Sequence, residues 1–378
     1  MSTLDQPLHF PHWMLQEIHQ QPDALALTLS HYVQDGAFRT DTNAAAREWL
    51  SQANGEILIT ASGSSRHAGM VAELLFEDLS GIAVDVEYAS EYCFRNLRSL
   101  KNASVLVISQ SGETADTLAA LRRAKKAGQR TLAVTNVPTS TMSREATVSY
   151  PTLADKERAV PATKSFTTQL LVLQLLALLA AEVRGTMSAA EISAQLRKLE
   201  ALPAIVREHL QAWQEAAEQI ARDNKPYANY LFLGRGLHYP IAREGALKLK
   251  ESSYLHAEGY PSGELKHGPN ALVSDHTPLV MIATVDRNDE DSVERYEKSI
   301  QLMRDMHEQG AKIVCTAIEG DESVNALAAH TFRVPALDET LLPFAEVIVY
   351  QLFSYYMAVQ AGIDVDRPRN LVKAVIVE

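Results

Sequence analysis

Short apolar runs alternate with polar turns and amphipathic segments in two separate stretches of the chain. An apolar run of this length is typical of a strand buried in a parallel sheet, and apolar residues that recur every three or four positions are typical of a packed helix. The predicted strands lie at 56–60, 104–108, 131–135, 230–233, 278–283 and 312–316, and the predicted helices at 67–79, 115–127, 143–145 and 240–255. The alternation predicts an α/β fold with helices on both faces of a parallel sheet.

The order of strand, glycine turn and helix at Gly63 returns at Gly234, so we interpret the chain as two copies of one α/β fold. The predicted parts are an N-terminal helical segment, a first domain, linking helices, a second domain and a C-terminal tail, at 1–45, 46–187, 188–224, 225–365 and 366–378. The longest apolar run, 170–181, is too short to span a bilayer, so it predicts a buried core helix.

Composition narrows the classes of protein. Of the 378 residues, 46% are hydrophobic, and the formal net charge is −12. An acidic chain argues against nucleic-acid binding, which needs a basic surface, but one pocket can still be locally positive and bind a small anion. Cys93 and Cys315 lie far apart, which argues against a disulfide framework or a metal site and favours a reducing cytoplasm. Residues 1–5 lack a signal-peptide pattern, so we expect none.

The first candidate site is the segment Ser109-Gln110-Ser111-Gly112-Glu113-Thr114, between a predicted strand and a predicted helix. The start of a helix offers N–H donors and positive potential to a phosphate, hydroxyls add donors, and glycine allows close approach. Gly63-Ser64-Ser65 follows the neighbouring strand at the same edge, where ligands of open α/β sheets bind. The alternative is ordinary helix capping, but two such turns together favour an anion site.

Two further segments carry ionisable groups. Glu244, Lys248 and Glu251 lie three or four residues apart, and spacing alone favours a solvated charged helix face. The loop 263–269 packs three ionisable groups between glycine and proline, which predicts a desolvation cost unless a ligand or partner uses them. The tail is apolar after Asn370, so we expect it to dock and to carry Lys373 into a pocket, with an exposed lysine as the alternative.

These segments together resemble the isomerase half of glucosamine-6-phosphate synthase (glutamine–fructose-6-phosphate aminotransferase), which consists of two tandem sugar isomerase (SIS) domains. The resemblance runs from His12 to the end of the chain. The matching motifs are S-Q-S-G-E-T-A-D-T-L at 109–118, T-K-S-F-T-T-Q-L at 163–170, E-G-A-L-K-L-K-E at 244–251, H-A-E-G-Y at 256–260, G-E-L-K-H-G-P at 263–269 and D-x-P-R-N-L-x-K at 366–373. It implies two flavodoxin-like three-layer domains.

The resemblance also implies roles for individual residues. Glu251 resembles the base that moves a proton between carbons 1 and 2 of the open-chain sugar, and His267 the ring-opening residue, which the partner subunit of a homodimer donates. Lys373 resembles the lysine that meets the keto group, and Lys248 and Arg369 resemble supporting residues. The implied phosphate and sugar contacts are Gly63, Ser64, Ser65, Ser109, Gln110, Ser111, Thr114, Val160 and Ala162. This chemistry needs no metal or redox cofactor.

Three departures shape the predicted function. Ser2 stands where the family has the cysteine of its glutaminase domain, and we expect no such domain before His12. Ala162 replaces a sugar-contacting serine, and Ser62 replaces a cysteine. We therefore predict a cytoplasmic deaminase that converts glucosamine 6-phosphate to fructose 6-phosphate and ammonia, without nucleic-acid or membrane partners. The alternatives are an ammonia-dependent synthase, a fructosamine-6-phosphate deglycase and a non-catalytic phosphosugar sensor.

Overall fold

The computed structural model describes residues 7, 9–53, 56–95 and 102–375, and the outermost residues of the predicted segments 1–45 and 366–378 lie outside this part. The chain forms two compact units, each described by itself below. The first unit comprises Gln20–Glu157, Lys164–Ile205 and Val372–Glu378, and the second comprises Met1–His19, Arg158–Thr163 and Val206–Leu371.

The chain begins with helices and a small hairpin. Helix α1 (Trp13–His19) belongs to the second unit, and α2 (Gln21–Tyr32) and α3 (Thr40–Ser51) belong to the first. Between α2 and α3, the two-residue strands β1 (Val33–Gln34) and β2 (Ala37–Phe38) pair antiparallel.

The sheet of the first unit has five parallel strands in the order β4-β3-β5-β6-β7. These strands are β3 (Glu56–Ala61), β4 (Ala83–Tyr88), β5 (Ser104–Ser109), β6 (Thr131–Thr135) and β7 (Val148–Ser149). The three predicted strands of this stretch are confirmed. The edge strands β4 and β7 were not predicted, because an edge strand exposes part of its length and breaks the apolar run.

The helices of the first unit flank this sheet. They are α4 (Gly63–Ser80), α5 (Ala89–Tyr92), α6 (Ala115–Lys126), α7 (Thr141–Glu145) and α8 (Lys164–Arg184). The prediction of a turn at Gly63-Ser64-Ser65 is wrong, because α4 begins at Gly63 and so includes all three residues. The predicted core helix is confirmed: α8 is long and apolar enough to span a membrane, but most of it is buried within the protein.

The second unit repeats the first. Its strands are β8 (Asn229–Gly234), β9 (His256–Pro261), β10 (Leu279–Ile282), β11 (Ile313–Ile318) and β12 (His330–Val334), all parallel, in the order β9-β8-β10-β11-β12. Its helices are α10 (His238–Ser253), α11 (Glu290–Glu308) and the buried α12 (Leu342–Gln360), with short 3-10 helices at Ser262–His267, Pro269–Leu272 and Glu322–Val324. Where linking helices were predicted, α9 (Ala189–Asn224) is one helix of 36 residues.

Both sheets therefore have the strand order 2-1-3-4-5 of a flavodoxin-like domain, which confirms the predicted fold and the internal repeat. In this order the strand connections change direction between the first and third strands, and ligands bind beyond the carboxyl ends of those two strands. In the first unit these are β3 and β5, which pair directly. The segments that begin at Ser62 and Ser109 follow these two strands, as the sequence predicted.

Candidate functional site

The turn Ser109–Thr114 is built by its own hydroxyls. The Ser109 hydroxyl accepts the Gly112 N–H at 3.1 Å and lies 2.9 Å from the Thr114 hydroxyl. The Ser111 hydroxyl accepts the Glu113 N–H at 3.1 Å. Gly112 has a φ of +65°, a conformation that side chains other than glycine rarely adopt. The turn is therefore closed and pre-formed at the end of β5.

Neighbouring segments fix this turn from one side. The Gln110 carbonyl accepts the Asn136 N–H at 3.1 Å, and the Gly112 carbonyl accepts the Met142 N–H at 3.1 Å. The Glu113 carboxylate accepts the N–H of Thr141, the first residue of α7, at 2.7 Å. A negative side chain is thus held at α7, where it has a partner of its own.

The hydroxyls at both helix starts do not act as caps. Ser62 precedes α4 and Thr114 precedes α6, and neither side chain accepts a cap hydrogen bond. Ser64 and Ser65 are half-buried in the first turn of α4, the helix that follows β3, and β3 is the strand next to β5. Side-chain capping, the alternative to an anion site, is therefore not observed at Ser62 or Thr114.

The end of the C-terminal tail, from Val372, is part of the first unit and packs within it. The Val375 carbonyl accepts the N–H of Ala115, the first residue of α6, at 3.0 Å. The Lys373 ammonium contacts the carboxylate of Glu157, whose side chain is fully buried. Lys373 is therefore half-buried in an ion pair instead of extended into solvent.

In the second unit, the charged face of α10 is buried, so the prediction of a solvated face is wrong. Glu244 and Lys248 are almost fully buried, and Lys248 Nζ lies 3.5 Å from the Glu244 carboxylate. The same ammonium contacts Glu251, whose side chain is 22% exposed. The three charges form a line from the interior of the unit to its surface, with the cation between two carboxylates.

Close packing explains why this face is buried. A Cβ at Gly245 would lie 2.9 Å from the rings of Phe232 on β8 and Tyr350 on α12. The missing side chain lets α10 approach both elements, and their rings exclude water from the adjacent turn of the helix. Charges in such a place need partners, which Glu244 and Lys248 provide for each other.

A second buried charge cluster holds the start of α10. His238 lies 2.9 Å from Glu346 and 3.1 Å from Glu339, and Arg295 lies 2.8 Å from Glu339. Burial lowers the pKa of His238. The two carboxylates act in the opposite direction, through their negative charges and their hydrogen bonds to the ring, and together they raise the pKa to about 10. Burial raises the pKa of Glu339. The hydrogen bond and charge of His238, the hydrogen bond of Ser292 and the charge of Arg295 outweigh this effect and lower the pKa to about 2.

We expect this cluster to make stability depend on alkaline pH. A histidine whose pKa rises from 6.5 unfolded to about 10 folded stabilises the protein fully below pH 6.5 and loses that contribution as pH rises through 10. At pH 7 it is worth about 4 kcal/mol. The free energy of unfolding in urea, measured from pH 7 to pH 10, should fall more steeply for the protein than for His238→Gln. Parallel curves would contradict the expectation.

The loop with Glu264, Lys266 and His267 was predicted to be costly to bury, and within this chain that expectation is wrong. All three side chains are exposed on the 3-10 helix, which Leu265 anchors in the core. Lys266 pairs with Asp305 on α11 at 2.5 Å. His267 is thus presented on the surface of its unit.

The remaining predicted site residues lie in the second unit. The Arg369 guanidinium stacks over the Tyr254 ring at 4.2 Å, and its backbone N–H donates to the Tyr254 hydroxyl at 2.7 Å. Val160 donates its N–H to the Asp366 carbonyl at 3.0 Å, and Ala162 is half-buried nearby in the same short segment.

Sequence reasoning missed Glu157 and the cluster of His238, Glu339 and Glu346. Glu157 lies outside the motifs that carry the resemblance. The cluster joins residues about a hundred positions apart, which no local spacing reveals. Among residues 7, 9–53, 56–95 and 102–375, no group of three His, Cys, Asp or Glu side chains is arranged to hold a metal ion. Both cysteines are free.

The fold and these segments define a protein with two doubly wound α/β domains and a polar, pre-formed turn at the strand-order reversal of the first. The chain belongs to the SIS domain family, whose model matches residues 49–179 and 228–361.

Curated proteins are similar in sequence to this chain over nearly its whole length. It is 39% identical over 370 residues to the glutamine–fructose-6-phosphate aminotransferase (isomerizing) of Clostridium tetani and 41% identical over 369 residues to that of Mesorhizobium japonicum. These alignments cover 98% and 97% of this chain but 59% of each relative, so the chain spans about 60% of their length.

Two solved structures are also similar to this chain over nearly its whole length. The C-terminal domain of glucosamine-fructose-6-phosphate aminotransferase from Francisella tularensis has a TM-score of 0.87 and 35% identity, covering 95% of this chain and 99% of that one. Glucosamine-6-phosphate deaminase from Thermotoga maritima has a TM-score of 0.73 at 23% identity, over 97% of this chain and 100% of that one, which shows a shared fold. The prediction of a SIS-family enzyme that resembles an isomerase half is confirmed.

Proposed function

We propose that this chain interconverts an aldose amino sugar 6-phosphate and a ketose 6-phosphate, and that it deaminates glucosamine 6-phosphate to fructose 6-phosphate and ammonia. The line of charges Glu244, Lys248 and Glu251 carries the proposal, because it ends in a carboxylate that is accessible and held by a buried ammonium. Such a carboxylate suits a base that moves a proton between neighbouring carbons. The similarity to isomerizing aminotransferases supports the substrate class.

The phosphate of the substrate binds at the turn Ser109–Thr114, with Gly63, Ser64 and Ser65 at the neighbouring helix start. Hydroxyls and first-turn N–H groups other than that of Ala115 supply the donors, and the α6 dipole favours a dianion there. Anchoring carbon 6 leaves carbons 1 and 2 for the reacting groups, which provides the orientation that the reaction needs.

We expect Gly112→Ala to weaken this binding. The added Cβ would lie 2.2 Å from the Ser140 hydroxyl, and the positive φ adds strain of about 1–3 kcal/mol. Calorimetric titration with glucosamine 6-phosphate should give a Kd at least about tenfold higher. Gly128→Ala is the matched control, because Gly128 has a φ of +77° but open space around its Cβ and lies outside the turn. Unchanged affinity in Gly112→Ala would argue against the turn as the phosphate site.

The proposed chemistry balances without a redox step. Glu251 takes the proton from carbon 2 of the open-chain amino sugar and returns it to carbon 1. The carbon 1 oxygen gains a proton and the amine nitrogen loses one, which leaves a hydroxymethyl group at carbon 1 and an imine at carbon 2. Water adds to that carbon, ammonia leaves, and the ketone remains. Lys248 stabilises the charge on Glu251. Lys373 contacts the group at carbon 2 that changes from an imine to a ketone. Arg369 and Val160 line the sugar site.

His267 opens the sugar ring in this proposal. Its exposure on the surface of its unit supports a role toward a second copy of the chain, so we propose a homodimer in which each subunit donates His267 to its partner. Sedimentation at assay concentration should show a dimer. We place the protein in the cytoplasm, where its two free cysteines would remain reduced.

Two other reactions use the same groups. Similarity to the aminotransferases favours the reverse, aminating direction with free ammonia. Ala162, in place of a serine, favours an altered amine or sugar selectivity such as that of a fructosamine-phosphate deglycase, because a lost hydroxyl leaves a substrate group unpaired.

Ammonia release distinguishes these reactions. The purified protein, assayed with glucosamine 6-phosphate, should release ammonia and fructose 6-phosphate in equal amounts. Turnover of fructosamine phosphates alone would replace the proposal with the deglycase, and turnover only of fructose 6-phosphate with ammonium would replace it with the synthase. If the protein binds a phosphosugar but turns over none of these substrates, the non-catalytic phosphosugar sensor is the remaining alternative.

A further inference from the structure

Glu157 is a buried carboxylate to which the proposed reaction assigns no role. It ends the segment that leads to α8, and its side chain has no exposure to solvent. One oxygen accepts the N–H of Ser165 at 3.1 Å, and the other accepts the Ser165 hydroxyl at 2.6 Å and contacts the Lys373 ammonium. Both carboxylate oxygens therefore have partners, and one partner is the tail lysine.

Contacts outside the tail also fix the position of Glu157. Asn136, after β6, accepts the Ala154 N–H at 2.8 Å and donates its amide to the Asp155 carbonyl at 2.7 Å. Asp155 has a φ of +56°, so the segment bends immediately before Glu157. Ser165 belongs to the buried start of α8. The carboxylate is thus held by two rigid elements, whereas Lys373 belongs to a short tail without regular structure.

We propose that Glu157 is a positioning residue that sets where the Lys373 ammonium lies. A lysine side chain has several rotatable bonds, and a buried, doubly fixed carboxylate selects one position of its nitrogen. The hydrogen bond that Ala115 N–H donates to the Val375 carbonyl holds the backbone of the same tail, so the tail has one backbone anchor and one side-chain anchor. The inference rests on the proposed function only for the work that Lys373 does, not for the contact itself.

The simpler role of Glu157 is to cap α8, since it accepts the N–H of Ser165. Glu157→Gln separates the two roles, because an amide oxygen still accepts from Ser165 but no longer carries the charge that holds an ammonium. Glu145→Gln is the matched control: Glu145 is a carboxylate of the same unit whose pair with Arg122, at 2.8 Å, lies on the surface.

The first experiment measures deamination of glucosamine 6-phosphate. We expect Glu157→Gln to lower kcat about 30-fold with KM within about threefold, since misplacement of a reacting group costs rate more than binding. In a Lys373→Ala background the same change should lower the residual rate less than about twofold, because it acts through the lysine. Equal losses in both backgrounds would overturn the proposal.

The second experiment needs no turnover. Without substrate, the rate at which N-hydroxysulfosuccinimide acetate acetylates Lys373, followed by mass spectrometry, should rise in Glu157→Gln and remain at the wild-type value in Glu145→Gln. An unchanged rate in Glu157→Gln, with an unchanged melting temperature, would overturn the proposal. A wild type that shows this protection but does not deaminate the sugar would reject the proposed function and keep the contact.

Discussion

Glu251→Gln should lower kcat for deamination of glucosamine 6-phosphate about 1,000-fold, within the range of a lost general base. The amide keeps the shape of the side chain but cannot take the proton from carbon 2. KM should change little, because the substitution does not touch the turn Ser109–Thr114, which we propose as the phosphate site. Steady-state kinetics with coupled detection of ammonia measure both parameters.

The substitution also removes one partner of Lys248, so the fold must be checked in parallel. Circular dichroism and thermal melting of Glu251→Gln should remain close to the wild type, because Lys248 retains Glu244 at 3.5 Å. Glu297→Gln, an exposed helical glutamate of the same unit, controls for loss of a carboxylate and should keep full activity. A folded Glu251→Gln protein with normal turnover would show that another group is the base.

The part of the fold that the sequence predicted is the part with continuous apolar runs. Strands β5, β6 and β11 are buried along their whole length, so their runs are unbroken. Strands β4, β9 and β12 lie at or near sheet edges and carry polar residues that interrupt any run. A strand that is buried on one face shows an alternation of apolar and polar residues instead of an apolar run. This alternation is a weak signal over six residues or fewer.

The candidate site divides in the same way. The turn Ser109–Thr114 was predicted because its chemistry is local: a strand end, hydroxyls, one glycine and a helix start. The charged face of α10 was misjudged because pairs three and four residues apart look alike in solvent and in a core. The burial of this face is decided by packing of α10 around Gly245, against a ring on β8 and a ring on α12. Of these two elements, α12 lies far along the sequence from α10.

Buried charges follow from that packing and cluster on one helix. His238 at the start of α10 and Lys248 in its last turns each stand between two carboxylates. Each cation thereby offsets the desolvation of acidic groups that are buried with it. The arrangement keeps Glu251 in a fixed place at the end of the line, so the stability of α10 and the proposed catalysis depend on the same residues.

Lys248→Met tests that dependence through stability. The substitution fills a similar volume but leaves Glu244 buried without its lysine, and breaking a buried pair in this way costs about 3–5 kcal/mol. Urea unfolding at pH 7, followed by circular dichroism, should show a loss of that size. Lys266→Met is the control, because Lys266 is half exposed in its pair with Asp305, and a surface pair is worth about 1 kcal/mol or less.

The double variant Glu244→Gln with Lys248→Met locates the cause. It removes the buried negative charge together with the cation, so it should recover more than half of the stability that Lys248→Met loses. Its activity should remain low, because Glu251 still lacks the ammonium that holds it. If Lys248→Met unfolds at the same urea concentration as the wild type, the Glu244 carboxylate has enough support from elsewhere, and the line of charges does not stabilise α10.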